Sequence, residues 1–123
     1  MIDQKIEMLA NKVIGLAIQV HKTLGPAFEE KIYQRALYLE LKKSNIKFHR
    51  EKELVIQYVG VNLGKQKLDF LIEDCLILEL KKVDKIADVH KAQLLSYLRA
   101  SGLRLGLLLN FGGGILEVKR VIV

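Results

Sequence analysis

Two apolar runs, Lys67-Leu68-Asp69-Phe70-Leu71-Ile72 and Leu76-Ile77-Leu78-Glu79-Leu80-Lys81, flank the polar break Glu73-Asp74. The pattern predicts a hairpin, and strands this apolar are buried on at least one face. Yet they carry Asp69, Glu79 and Lys81, and an unpaired charge in such a place costs on the order of several kcal/mol. A turn centred near Asp74 puts Asp69 opposite or close to Glu79, since each lies five residues from it. Side chains alternate along a strand, so Lys81 shares the side of Glu79 while Leu78 and Leu80 point away. Cross-strand neighbours approach within about 5 Å, where two carboxylates repel unless a cation lies between them. Two acids and a lysine around one point therefore suggest a divalent metal engaged in phosphate chemistry. The competing reading is an amphipathic hairpin with these charges on a wetted face, common in antiparallel sheets.

The remaining pattern alternates helices and strands. Ile6, Leu9, Val13, Leu16, Val20 and Leu24 recur at helical spacing, predicting a first helix from about Asp3 to Leu24. Gly25-Pro26 interrupts it, and Pro26 suits the first turn of a second helix running to about Ser44. On that helix Glu30, Tyr33 and Leu37 form one stripe, so Glu30 can look inward; as a first-turn dipole partner it would instead face water. Strands are expected at Leu54–Tyr58, Lys65–Glu73 and Cys75–Lys82, with Gly60 and Gly64 as turn signals. A third helix from about Ile86 to Ser101 carries His90, Gln93 and Tyr97 on one stripe, and Gly102 suits its end. Leu105–Phe111 reads as a buried strand joined to the hairpin through a helix by a parallel crossover. Gly112-Gly113-Gly114 is a turn, lacking the context of a phosphate loop, and Leu116–Val123 is a final short strand or tail.

Composition narrows the chemistry. The chain has 123 residues, half of them hydrophobic, enough for one domain with a real core. No apolar run reaches about 18 residues, and the N-terminus is charged where a signal peptide would be apolar. A soluble, cytoplasmic protein with no membrane partner is expected. The single Cys75 excludes an internal disulfide, and it reads as a structural thiol. His21, His49 and His90 have no zinc spacing. The net charge of +6 suits a polyanionic partner, with cations concentrated at Lys42, Lys43, Lys47, His49, Arg50 and Lys52. Aromatics are few and tryptophan is absent, so no base-stacking platform is indicated.

At this point the residues resemble a known superfamily. Asp69 followed by Glu79-Leu80-Lys81 is similar to the D…ExK core of the PD-(D/E)XK nuclease-like fold. Leu24-Gly25-Pro26-Ala27-Phe28-Glu29-Glu30-Lys31-Ile32-Tyr33 resembles the signature of the GxxExxY family, except that Ala27 stands where its first glycine belongs. Gln93-Leu94-Leu95-Ser96-Tyr97 resembles the QxxxY helix motif of several nuclease branches, and the segment from Gly102 to Gly112 resembles the family's C-terminal strand. The resemblance implies one α/β domain over residues 1–123 with a three-layer restriction-endonuclease-like fold, a mixed central sheet flanked by helices.

The function implied is metal-dependent hydrolysis of phosphodiester bonds in DNA or RNA. Asp69 and Glu79 are the expected ligands of Mg²⁺, with Mn²⁺ substituting and the Leu80 carbonyl adding a ligand by resemblance. Glu30 is expected to hold a water of the ion or a second ion. Lys81 is expected to orient or deprotonate the attacking water and offset charge on phosphorus. Gln93 would hold this constellation or a phosphate oxygen, with Tyr97 supporting it, while Tyr33 and His90 are weaker candidates. Small enzymes of this fold pair to span a duplex, so the analogy allows a homodimer. Two alternatives stay open: a non-catalytic nucleic-acid-binding protein of the same fold, and an assembly protein in which Lys81 forms a structural salt bridge with Glu79 or Asp69.

Overall fold

A computed structural model describes residues 2–123. The first helix, α1 (Gln4–Leu24), opens on Asp3, whose carboxylate accepts the Lys5 N–H at 2.7 Å, the usual N-cap device. The second, α2 (Glu30–Lys43), begins four residues later than the Pro26 signal indicates. The reason lies in Tyr33: its hydroxyl donates to the Gly25 carbonyl and accepts the Phe28 N–H at 3.2 Å. These bonds hold residues 25–29 in a turn that helical continuation would break.

The strands are β1 (Phe48–Tyr58), β2 (Val61–Ile72), β3 (Leu76–Lys81), β4 (Leu105–Asn110) and β5 (Glu117–Ile122), with α3 (Asp88–Ser101) between β3 and β4. They form one five-stranded sheet in the order β1-β2-β3-β4-β5. The β3–β4 pair is parallel and the others antiparallel, so the sheet is mixed, with the expected crossover through α3. Two boundaries differ from expectation. β1 starts at Phe48 instead of Leu54, because its first half is almost wholly solvated and shows no apolar alternation to read. β2 starts at Val61 instead of Lys65, because Gly64, at φ 149, lies inside the strand where the register shifts next to Ile56.

Two apolar layers sandwich the sheet. On one face Ala10, Val13 and Ala17 of α1 and Tyr33, Leu37 and Leu41 of α2 pack with Leu76, Leu78 and Leu80 of β3 and Leu105, Leu107 and Leu109 of β4. On the other, Leu94 and Leu98 of α3 pack with Ile77 and Leu108. This three-layer α/β arrangement is the expected restriction-endonuclease-like fold. Gly106 carries no side chain because a Cβ there would lie 2.8 Å from Leu94, so α3 seats directly on β4. Gly102, at φ 75, ends α3 with its N–H on the Leu98 carbonyl. Among the described residues no helix is long and apolar enough to cross a membrane.

A candidate active centre where two strands part

The β2–β3 ladder runs Ile72↔Leu76, Leu71↔Ile77, Phe70↔Leu78 and stops there. One further step puts Asp69 opposite Glu79, and at this step side chains take over the backbone bonds. The Asp69 N–H donates to Glu79 Oε2 at 2.8 Å, and the Leu80 N–H donates to Asp69 Oδ2 at 2.8 Å. Each carboxylate thus caps the main chain beside the other acid, satisfying N–H groups that the parting strands would orphan. On the β1 side the register passes from Arg50↔Phe70 to Lys52↔Leu68, omitting Glu51 and Asp69. Glu51 holds φ 54, unusual for a residue with a side chain.

Electrostatics set these acids apart. Glu79 is 5% exposed, and its pKa is raised to about 8, by burial first and then by the charge of Asp69. Asp69 is also raised, chiefly by burial, against the lowering effects of the Leu80 N–H and the Lys81 charge. Glu30 is raised by partial desolvation and by Asp69, and lowered by Lys81. Glu30 nevertheless remains open to solvent, so it borders the centre as a wet carboxylate and is not the inward acid that the stripe on α2 allowed. Lys81 lies close enough to lower all three acids, yet among the described residues it takes part in no ion pair. A structural salt bridge of Lys81 with Asp69 or Glu79 is therefore absent among those residues.

The scaffold behind these groups is specific. Tyr33 stacks on Phe111, with ring centroids 4.6 Å apart, which ties the start of α2 and hence Glu30 to the end of β4. Lys81 stands beside Asn110 in the parallel register, and its carbonyl accepts the Phe111 N–H at 2.9 Å. Asn110 is 1% exposed and its Oδ1 accepts both the Val83 and Gly112 N–H groups at 3.0 Å. Its Nδ2 donates to Glu117 Oε1, also at 3.0 Å. Gly112 passes so near Val83 that a Cβ would lie 2.2 Å from the Val83 carbonyl oxygen. His21 Nε2 contacts the Gly113 carbonyl at 2.8 Å and anchors the same turn. The exit of the chain from β3 just after Lys81 is consequently fixed.

Other candidate residues lie as follows. Tyr97 is 7% exposed; its hydroxyl donates to Gln66 Oε1 at 3.1 Å, and its pKa is raised by burial, then by the Glu79 and Asp69 charges. It therefore borders the acids without bonding them. Gln93 is exposed on α3 and is in no side-chain hydrogen bond among the described residues. His90 Nδ1 accepts the Ala87 N–H at 3.0 Å and serves the start of α3. Tyr33 is fully buried, and its hydroxyl is taken up by the Gly25 carbonyl and the Phe28 N–H. Two neighbours escaped the sequence reading. Gln34 Nε2 reaches Asp69 Oδ1 at 3.5 Å, and its position four residues after Glu30 was the available signal. Glu51 stands opposite Asp69 and raises it, with nothing in the pattern to mark it.

The donor set suits a hard divalent cation. With Asp69 Oδ2 and Glu79 Oε2 held by backbone N–H groups, each acid keeps a second oxygen, and burial raises both acids despite the nearby Lys81 charge, so a closer cation would favour their ionised forms. Among the described residues no three His, Cys, Asp or Glu side chains are already gathered as a cage, so most of an ion's coordination would come from water and substrate. The family model of the PD-(D/E)XK nuclease superfamily matches residues 7–121, and the chain belongs to that superfamily. No curated protein and no solved structure matches it.

Proposed function

We propose that this chain is a divalent-metal-dependent nuclease that hydrolyses phosphodiester bonds of DNA or RNA. In this reading residues 1–123 act as one domain of the GxxExxY type, in the cytoplasm. The observation that carries the proposal is the reciprocal Asp69–Glu79 arrangement: a buried Glu79 raised by the half-buried Asp69 that faces it, with Lys81 beside them and unpaired.

Asp69, Glu79 and the Leu80 carbonyl would hold Mg²⁺, with Mn²⁺ as a substitute. When bound, the ion supplies Lewis-acid polarisation of the phosphate and acidifies water. Glu30, solvated and raised, accepts a proton or orients water at the open edge of the site. Lys81 Nζ places positive charge where phosphorus gathers negative charge, and it orients the attacking water. Gln34 fixes the Asp69 carboxylate, while Tyr97 closes the site on the α3 side. Gln93, exposed one turn before Tyr97, is free to meet a phosphate oxygen of bound substrate.

Incubation of the protein with plasmid, linear duplex, single-stranded DNA and RNA, with Mg²⁺, Mn²⁺ or EDTA, tests the reading. Cleavage of at least one substrate is expected, abolished by EDTA and by Lys81→Ala. Cleavage that survives both would remove this centre from the chemistry.

A further inference from the structure

An open concavity of about 750 Å³ lies between the end of α2 and the start of β1, and its wall residue Glu51 reaches the acid centre. We propose that this groove is the track for the sugar–phosphate backbone of a nucleic-acid strand leading into the acid centre, and that it reads no bases. The direction of the track rests on the nuclease reading; the binding does not.

Charge carries the argument. Lys42, Lys47, Arg50 and Lys52 line the groove, and among the described residues none of them takes part in an ion pair. The groove's acids are already engaged or lie at one end. Glu53 pairs with Lys65 at 3.4 Å, and Glu51 is near enough to the acid centre to raise Asp69. Its remaining titratable wall residue, His49, faces Asp74 at 3.6 Å. Lys42, Lys47 and Arg50 thus occupy the part of the groove away from the acids, and Lys52 stands between Glu51 and Glu53 at the nearer end, so free cations for phosphates line the wall throughout.

Two of the cations converge on one ring: the Arg50 guanidinium lies 4.4 Å and the Lys42 ammonium 5.4 Å from the Tyr38 centroid. Both cations are exposed, and neither takes part in an ion pair among the described residues, so each is available to a phosphate. The same cations contact the Tyr38 ring, and Phe48 meets it edge-on at 5.5 Å, so a base stacking on Tyr38 would have to compete with them. The reach also fits. From Lys47 to Glu51 the strand advances about 13 Å at about 3.3 Å per residue. That is roughly four base steps of duplex at about 3.4 Å each. β1 is a sheet edge, so no neighbouring strand of this chain blocks the track.

The test measures binding of fluorescent 20-mers of two unrelated sequences, single- and double-stranded, to the full chain in EDTA across a range of salt. Lys47→Ala/Lys52→Ala removes two exposed groove cations, and Lys12→Ala/Lys22→Ala removes two exposed cations of α1. The groove variant is expected to flatten the slope of log affinity against log salt by about 1.8 for duplex or about 1.4 for single strands. The α1 variant is expected to leave that slope unchanged, and the two sequences to bind alike. Equal slopes for wild type and groove variant, or no binding by wild type, overturn the track. A sequence preference overturns its backbone-only character. Hydrolysis of bis(p-nitrophenyl) phosphate by wild type with Mn²⁺ judges the nuclease reading separately: its absence would count against that reading and leave the salt slopes to decide the groove.

Discussion

Glu79 and Glu117 stand on the strands either side of β4, and both accept a main-chain N–H, yet their acidities move in opposite directions. Glu117 Oε1 receives the Asn110 amide and the Ile86 N–H at 3.0 Å each, and its pKa is lowered by those bonds. Glu79 receives the Asp69 N–H, but burial and the facing Asp69 carboxylate outweigh it. A carboxylate that completes a network of neutral donors is structural. One buried against another acid, with the nearest ammonium left unpaired, awaits a partner from outside the chain. The two strands that flank β4 separate those roles within one small protein.

The difference is sharpest in catalysis. Glu79→Gln and Lys81→Ala should each lower cleavage on the order of a hundredfold or more in initial-rate assays with Mg²⁺. Lys82→Ala, exposed one residue past the end of β3, should cleave like wild type. Lys81→Ala should also keep its affinity for Mn²⁺, measured by calorimetry, because a charged ammonium has no lone pair to donate. A Lys81→Ala protein as active as wild type would erase the distinction between the two strands.

Stability should reverse the ranking. Asn110→Ala leaves the Val83 and Gly112 N–H groups and Glu117 without their shared partner, and should cost about 3 kcal/mol in urea unfolding. Glu79→Gln should be neutral or stabilising, since it removes a charge that the fold disfavours. Were Glu79→Gln the costlier change, the Glu79 strand would be the structural one.

The pH dependence separates the pair again. In chelator the folded state binds a proton at Glu79 that the unfolded chain has lost. Stability should therefore fall by on the order of a few kcal/mol as pH rises from 4.5 to about 8. Glu117 has the opposite sign: its contribution is present above 4.5 and is lost as pH falls through its lowered pKa. Urea melts of Glu79→Gln and Glu117→Gln against pH should lose the upper and lower limbs respectively. The smallest effect expected is that of Tyr97→Phe, which gives up one bond to Gln66 at a cost of about 0.5–1 kcal/mol.

These contrasts also show where sequence reasoning reached and where it stopped. The Asp69–Glu79 pairing was legible because both runs are apolar enough to fix their register and the acids interrupt them. The parallel β3–β4 crossover was legible because Leu105–Asn110 has no polar face. The first half of β1 was not, since its pairing rests on main-chain bonds that any side chain permits. Nor was the start of α2, which Tyr33 decides through two bonds to residues five and eight positions back. Asn110 lay unmarked inside the buried run Leu105–Phe111; its role as an organiser comes from a turn and a strand that meet only in three dimensions. Gln93 shows the limit of motif spacing, which places a residue on a helix face without showing what that face meets.

The central claim is that the Asp69–Glu79 pair is strained when empty and relieved by a cation. Thermal melts of wild type and Glu79→Gln at pH 8, in EDTA and in Mn²⁺, test it most directly. Wild type should melt no higher than Glu79→Gln in EDTA, and saturating Mn²⁺ should raise it by about 5 °C or more while leaving Glu79→Gln unmoved. A Glu79→Gln protein strongly destabilised in EDTA, together with a wild type indifferent to Mn²⁺, would contradict the account.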